Sequence, residues 1–477
     1  MITIRLVDDA CREFGTDNGN GPCLWRDPHL CESVLQAAER LSSQVESGHV
    51  TCCSLNGRRR PVPLDGVLHC SPTRTECFGQ YGSNRRIKEL SFTTSHYVGE
   101  ACVRSDCDQF RFVINPRMGA AIWSHLLAEA TRVYLPERLT SVAGQQEDGS
   151  AWLLLMMWRS AFERAIRQAS VPKAYVQTEE NMRCFRGRLN VPRHISLNIA
   201  DQSRFFCSYK PLTFDNAINR TIRCVYRVLS ASRIPASALV SIAEHDSRLA
   251  SFGVENRPVS DREIASFKYT KMTEPYRAVM ELSRVILRGY GAGEMEDGGD
   301  GPSYFIDVAE IWENYLMGVL KRRIPEYTFV SPNEEGGCKL FEDAREIRPD
   351  FMVYRNGKLI AIMDAKYKRY NKIGRYAIED HAVSREDLYQ MSTYLYRFGS
   401  SNEPLAGIFL SPFSVGDNSQ KRIGNNPRHF MAVCNLPIID LDRECANWDR
   451  TKLQARLKEV EGDFAARLKK LLDGCLS

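Results

Sequence analysis

Arg348-Pro-Asp-Phe-Met-Val-Tyr-Arg-Asn-Gly-Lys-Leu-Ile-Ala-Ile-Met-Asp-Ala-Lys366 is the stretch that decides the fold. Two apolar runs, Phe351 to Tyr354 and Leu359 to Met363, flank Arg355-Asn356-Gly357. Asn-Gly between such runs is a strong hairpin signal. Both runs are apolar on both faces, as central strands covered by helices should be. Asp350 leads into the first strand; Asp364 and Lys366 leave the second and share a face by alternation. A two-residue loop would put Asp350 opposite Met363, on the far face from Asp364. A three-residue loop would put it opposite Ile362, with Asp364 a diagonal neighbour ~7–8 Å away on the same face. The expectation is the three-residue loop, or a bulge with the same effect.

Two carboxylates and an ammonium in that arrangement suit phosphodiester hydrolysis. Mg²⁺ takes one or two protein carboxylates and keeps water and phosphate in its other positions. It lowers the pKa of bound water and neutralises developing charge. A nearby lysine can orient or deprotonate the attacking water, or stabilise the pentavalent state. The surroundings are basic: from Arg355 to Arg375 there are seven Lys or Arg and one acid, Asp364. A surface ion pair of Asp364 with Lys366 or Arg348 is the bland alternative.

Working outward, Val308, Ile311, Trp312, Tyr315, Leu316, Val319 and Leu320 form the apolar stripe of a helix that opens the C-terminal α/β region. A helix over about Arg385 to Phe398 and strands at Gly407 to Ser411 and Met431 to Cys434 follow the hairpin. An amphipathic helix ends the chain and reads as a domain cover. Gly289 to Ser303, with six glycines and one proline, is the best linker. Before it, residues 116–288 read as mostly helical, with segments at Ala120 to Tyr134, Ser150 to Ala169, Asn219 to Ser230 and Pro275 to Arg288. Residues 1–115 read as a small β-rich domain, with runs at Leu90 to Tyr97 and Phe110 to Ile114. The expected organisation is therefore a β-rich start, a helical middle, a linker over 289–303 and an α/β domain over 304–477.

The chain has 477 residues, 43% hydrophobic and 26% charged, which fits two or three globular domains. No apolar run approaches the ~20 residues of a membrane helix, and no signal peptide is visible, so a cytoplasmic protein with no membrane partner is expected. The net charge of +5 is too mild to prove a nucleic-acid partner. Of 16 cysteines, nine fall in the first 107 residues, yet no Cys-x-x-Cys step exists. Free, semi-buried thiols are favoured over a zinc site.

Pro349-Asp350 with Asp364-Ala365-Lys366 resembles the PD-(D/E)XK nuclease superfamily, which implies a mixed central sheet flanked by helices. Gln390-x-x-x-Tyr394 resembles the Gln-x-x-x-Tyr motif of its RecB-like branch, implying that Gln390 and Tyr394 support the site. An acid on the opening helix is common in that fold. Glu313 lies about 120° from the centre of the apolar stripe and Glu310 about 180°, at 100° per residue. Glu313 is thus the candidate third metal ligand, and Glu310 is expected to face solvent. Cys434, Cys445 and Cys475 are too widely spaced for the iron–sulfur cluster of some branch members.

The resemblance narrows further. Asp350 through Lys368 and Asp387-Leu-Tyr-Gln-Met391 look like the McrC family, the nuclease subunits of McrBC-type modification-dependent restriction systems. Ile114-Asn-Pro-Arg-Met-Gly119, Phe185-Arg-Gly-Arg-Leu189, Asn219-Arg-Thr-Ile222 and Val308 to Tyr315 resemble further landmarks, over about 90–415. The family often has Pro-Lys where this chain has Pro116-Arg117. Residues 1 to about 90 match nothing. The resemblance implies Mg²⁺-dependent DNA cleavage (Mn²⁺ as a substitute) while docked to a McrB-like, GTP-hydrolysing AAA+ ring that the subunit stimulates. No phosphate-loop motif occurs here, so any motor is another polypeptide.

Lys368, Arg186 and Arg188 are candidate DNA contacts, solvated loop cations being the alternative for the arginines. Arg58-Arg59-Arg60 reads as a solvated turn, with a DNA-backbone contact second. His194 and His381 have no metal-spaced partners. Two other readings stay open: a non-catalytic scaffold that activates an AAA+ ring, its nuclease site vestigial, and a DNA-binding regulator using the first 115 residues.

Overall fold

The computed structural model describes residues 2–8, 11–15, 28–46, 50–53, 66–78, 84–105, 108–131, 149–231, 236–290, 303–332, 338–341, 346–368, 383–400, 403–413, 420–424, 426–441 and 450–474. The chain divides into two compact units. One comprises residues 1–55, 59–150 and 304–477; the other comprises 151–303 with the short stretch 56–58. Residues 116–150, read from sequence with the helical middle, belong to the first unit. Most of the expected linker, and Arg58-Arg59-Arg60, lie outside the described residues.

The first unit begins with β1 (Ile2–Val7), β2 (Cys11–Gly15), α1 (Pro28–Glu46), β3 (Thr51–Cys53), β4 (Leu68–Phe78), β5 (Asn84–Thr94), β6 (Tyr97–Arg104), β7 (Gln109–Asn115) and α2 (Ala120–Thr131). Strands β2, β5 and β4 make a three-stranded antiparallel sheet. Its apolar core joins α1 through Val34, Ala38 and Leu41 to Phe92, Phe110 and Phe112. In this region Cys31, Cys52 and Cys102 are buried and Cys70 is half-buried. They pack as small apolar groups, and burial pushes the Cys52 and Cys70 thiols up to about 12.

The second unit contains α3 (Gly149–Gln168), β8 (Ala174–Tyr175), β9 (Thr178–Met182), β10 (Arg188–Leu189), α4 (Val191–Asn198), β11 (Phe205–Tyr209), β12 (Leu212–Thr213), α5 (Ala217–Ala231), α6 (Ala236–Ser251), α7 (Asp261–Ala265) and α8 (Arg277–Tyr290). Trp158 stacks on Phe162 at 5.1 Å and donates from Nε1 to Ser283 Oγ at 2.8 Å. Buried Asn219 donates to the carbonyls of Pro172 and Phe214 at 2.9 and 2.7 Å. The Asn219-Arg-Thr-Ile landmark therefore pins a loop onto a helix. The two small sheets, β10-β11-β9 and β12-β8, interrupt a region read as mostly helical.

The chain then returns to the first unit with β13 (Tyr304–Asp307), α9 (Val308–Arg323), β14 (Thr328–Val330), β15 (Cys338–Lys339), β16 (Glu346–Ile347), β17 (Phe351–Arg355), β18 (Lys358–Ala365), α10 (Arg385–Phe398), β19 (Leu405–Ser411), β20 (Lys421–Ile423), β21 (Asn426–Asn435) and α11 (Arg450–Asp473). β13, expected to open the C-terminal domain, instead completes the N-terminal sheet in the order β1-β7-β6-β13-β3. It fits because Gly99 faces it: a Cβ there would lie 2.1 Å from the Tyr304 carbonyl oxygen. Helix α9 follows at once, capped by Asp307 accepting from the Ala309 and Glu310 amides at 2.9 and 3.4 Å. Lys321, Arg322 and Arg323 close its last turn, favourably for the helix dipole.

The α/β part is a six-stranded mixed sheet, β14-β17-β18-β19-β21-β20. β18 and β19 are parallel, as are β19 and β21; β17 pairs antiparallel with β18. Helix α10 buries Met391, Tyr394 and Leu395 against Ile362, Phe409 and Val433. Helices α9 and α11 pack against the sheet as well, so both faces of β18 are buried. Among the described residues no helix is long and apolar enough to cross a membrane.

The hairpin turn is two residues long, with Asn356 at φ 51° and Gly357 at φ 78°, the geometry of a type I′ turn. The expected three-residue loop is not formed. Nothing lies within 4 Å of a Cβ placed on Gly357, so Gly357→Ala meets only backbone strain. It should lower unfolding free energy by about 1 kcal/mol, read as a lower denaturation midpoint at unchanged slope. A loss several times larger would show that the turn does more than reverse the chain.

Candidate active site

The site begins with a register shift. Near the turn Tyr354 pairs with Leu359 and Arg355 with Lys358; beyond it Val353 pairs with Ala361 and Phe351 with Met363. Ile360 is the extra residue of a β-bulge. One step past the last pair, Asp350 therefore faces Asp364 directly. The bulge brings both acids to one face, as expected, but as opposite rather than diagonal neighbours, a separation of ~4.5–5.5 Å between Cβ atoms. Asp364 is 2% exposed and Asp350 half-buried. The Ala365 amide donates to Asp350 Oδ2 at 2.7 Å, tying one strand's carboxylate to the other strand's backbone. Burial, then the nearby carboxylates of Glu313 and Asp364, push the Asp350 carboxyl well above the usual carboxylate range.

Lys366 continues the strand, its amide donating to the Leu410 carbonyl at 2.8 Å. Its Nζ sits 2.7 Å from Asp364 Oδ2 and 3.2 Å from Asp387 Oδ1, and donates to Gln390 Oε1 at 2.9 Å. Burial alone would lower the lysine's pKa, but Asp364 and Asp387 raise it, so the group is a fixed ammonium. Gln390 passes the order on, donating from Nε2 to the Tyr394 hydroxyl at 2.9 Å. Burial, with Asp364 nearby, pushes that hydroxyl up to about 12. Gln390 and Tyr394 thus act together, one helical turn apart, as a prop for Lys366.

Asp387 had no role in the sequence reading. Ser384 Oγ accepts from the Asp387 amide at 3.2 Å, an N-cap, and donates to Asp387 Oδ2 at 2.7 Å. The same carboxylate also holds Lys366, and its Oδ2 lies 3.6 Å from Lys368 Nζ. Lys368 is exposed beside the site.

Asp364 Oδ2 is buried, and the Lys366 ammonium lies 2.7 Å from it. A buried carboxylate beside two more carboxylates that crowd the same charge is a donor set that suits a hard divalent cation. Among the described residues no three His, Cys, Asp or Glu side chains form a ready cage. Mg²⁺ needs no such cage, since it uses one or two carboxylates. Glu313 is half-buried and within electrostatic range of Asp350. Glu310, expected in solvent, is only 8% exposed. Helix α9 is contacted by α2, α11, β14 and β18, so more of its circumference is covered than one stripe implies.

A second missed feature is Arg117, from the Asn-Pro-Arg-Met-Gly landmark. Its amide donates to Asp8 Oδ1 at 2.5 Å, and its Nη2 donates to the Tyr367 carbonyl at 2.9 Å. Its guanidinium lies 4.2 Å from the Tyr367 ring centre and 4.9 Å from that of Phe413. It thereby bolts the N-terminal sheet to the residue following Lys366. Arg186 and Arg188 belong to the second unit; both are exposed, and Arg186 stacks over Tyr209 at 4.7 Å. His194 binds Asn198 at 2.9 Å and stacks on Phe205. His381 lies outside the described residues.

Residues 92–406 match the family described as McrBC 5-methylcytosine restriction system component. Among solved structures, the chain is similar to one in a refined half-complex from a tetradecameric assembly of Thermococcus gammatolerans McrB AAA+ hexamers with bound McrC. That match has a TM-score of 0.51 and 14% identity, covering 93% of this chain and 99% of that one. A chain of the Thermococcus gammatolerans McrBC complex matches at TM-score 0.36 and 15% identity, over 68% of this chain and 88% of that one. No curated protein matches. The family match spans about two thirds of the sequence and includes the hairpin, the ammonium clamp and the Arg117 bolt: this chain belongs to the McrBC 5-methylcytosine restriction system component family.

Proposed function

We propose that this chain is the Mg²⁺-dependent DNA-cleaving subunit of an McrBC-type restriction system, with a PD-(D/E)XK nuclease site. The observation that carries the reading is the meeting of Asp350, Asp364 and Lys366 on one face of the β17–β18 hairpin. Asp350 and Asp364 would hold the ion, with Glu313 beside them. When bound, the ion supplies Lewis-acid polarisation of a phosphate oxygen and a more acidic water. Lys366, fixed by Asp387 and Gln390, presents positive charge to the phosphate as negative charge builds on its oxygens. Held between Asp387 and Gln390, it is placed for charge stabilisation and water orientation. Lys368 binds the DNA backbone beside it.

The second unit is the docking element for a GTP-hydrolysing AAA+ ring, which the chain stimulates. Phe185, Val191, Ile195, Leu197 and Ile199 are exposed within fifteen residues of one another, alongside Arg183, Arg186 and Arg193. Apolar side chains massed with cations suit a protein partner. Arg186 and Arg188 then meet partner carboxylates, or phosphate where the DNA passes.

The test combines the purified chain, an AAA+ partner, GTP and DNA carrying 5-methylcytosine. Cleavage is expected with Mg²⁺ or Mn²⁺ and none above background in EDTA, on a denaturing gel. Cutting that persists undiminished in EDTA would refute the metal-dependent mechanism.

A further inference from the structure

A cavity of about 350 Å³ opens beside the ammonium clamp, lined by Ile347, Arg348, Gln390, Thr393 and Tyr394. Its volume falls in the range of small-ligand sites, ~300–1,000 Å³. None of these lining residues carries a carboxylate, and Arg348 brings a guanidinium whose planar fork suits a phosphate. Gln390 is common to the cavity and the site: its Oε1 meets Lys366 and its Nε2 meets Tyr394. The cavity therefore starts where the ammonium clamp ends. Arg348 stands two residues before Asp350 in the chain, and both are at least partly exposed. Ile347 and the Tyr394 ring add apolar wall suited to a sugar.

We propose that this cavity is a nucleotide subsite, in which Arg348 binds the phosphate next to the scissile one on the same strand. The proposal rests on the nuclease reading for the position of the scissile phosphate. Binding of DNA can be measured separately from its cleavage.

The experiment uses the full chain and a fluorescein-labelled duplex containing 5-methylcytosine, with Ca²⁺ replacing Mg²⁺. Affinity is measured across a salt series for the wild type, Arg348→Gln, Arg348→Lys, Thr393→Trp and Asp364→Ala. Arg348→Gln should weaken binding about tenfold. It should also lower the slope of log affinity against log salt by about one. Arg348→Lys should keep that slope and recover part of the affinity. Thr393→Trp, which fills the cavity without changing charge, should weaken binding at an unchanged slope. Matching thermal unfolding curves exclude misfolding, Arg348 being exposed. Wild-type affinity and slope in both Arg348→Gln and Thr393→Trp would overturn the subsite. Failure of the nuclease reading looks different: Asp364→Ala would then cut DNA with Mg²⁺ and the motor as well as the wild type does, whatever the Arg348 variants bind.

Discussion

Replacing Asp364 with alanine should cut the rate of DNA cleavage by at least about 10³-fold, or about 4 kcal/mol of transition-state stabilisation. The side chain removed is a buried carboxylate beside Asp350, so its loss takes away half of the carboxylate pair meant for the cation. The fold should tolerate the change. Asp350 loses a like-charged neighbour, which relieves part of what raises its pKa. Lys366 keeps Asp387 and Gln390. The melting temperature should therefore stay within a few degrees of the wild type, since a 1 kcal/mol change moves a domain of this size by only ~2–4 °C. Stimulation of the partner's GTP hydrolysis should persist, because the exposed apolar group at Phe185 to Ile199 is untouched. Rate assays with Asp364→Ala and Asp364→Asn, run beside GTPase assays, separate the nuclease from the scaffold reading. Cleavage within tenfold of wild type would remove Asp364 from the site.

The hairpin was legible because its signals are local. Asn-Gly, apolar runs and Asp-x-Lys alternation each depend on neighbours a few residues apart. The register was not legible. Whether Ile360 bulges depends on how β14, β17 and β19 pack around β18, and no residue type announces it. The shared face of the two acids was anticipated, whereas their direct opposition was not. Asp387 was hidden because Ser384-x-x-Asp387 already has a complete local explanation as a helix cap. Only the fold shows its carboxylate reaching Lys366. β13 was misplaced for a different reason: three apolar residues after a linker look like the start of a domain, while their partners lie some two hundred residues earlier. Glu310 was read from its own helix alone, and a helical wheel ignores neighbours on the other sides. The McrBC landmarks were legible as words, and the structure supplies their grammar: Asn219 pins a loop, and Arg117 joins two sheets.

Glu461 should set the acid limit of the first unit. It lies on α11, 2% exposed, and accepts from the Tyr315 hydroxyl at 3.0 Å. Arg322 donates to both its oxygens at 3.1 Å and Arg323 to Oε2 at 3.0 Å. Burial alone would raise its pKa, but the His125 ring and the two guanidinia hold it down at about 2, against 4.5 for an exposed glutamate. His125 Nε2 is 3.9 Å away, beyond hydrogen-bonding range, so the arginines do most of this. A carboxyl whose pKa is depressed on folding stabilises the fold above its unfolded value and loses that contribution as pH falls through the folded one. At 1.36 kcal/mol per pH unit the gap corresponds to about 3 kcal/mol, present above pH 4.5 and gone near pH 2. Glu461→Gln keeps an acceptor for Tyr315 but removes the charge, and Arg322 and Arg323, partly exposed, can rehydrate. The variant should therefore be less stable than wild type by about 2 kcal/mol at pH 7. Denaturation of both proteins at intervals from pH 7 to pH 2 should give curves that converge only below pH 4.5. If the difference stays constant over that range, the charge on Glu461 is not what anchors α11 to α9.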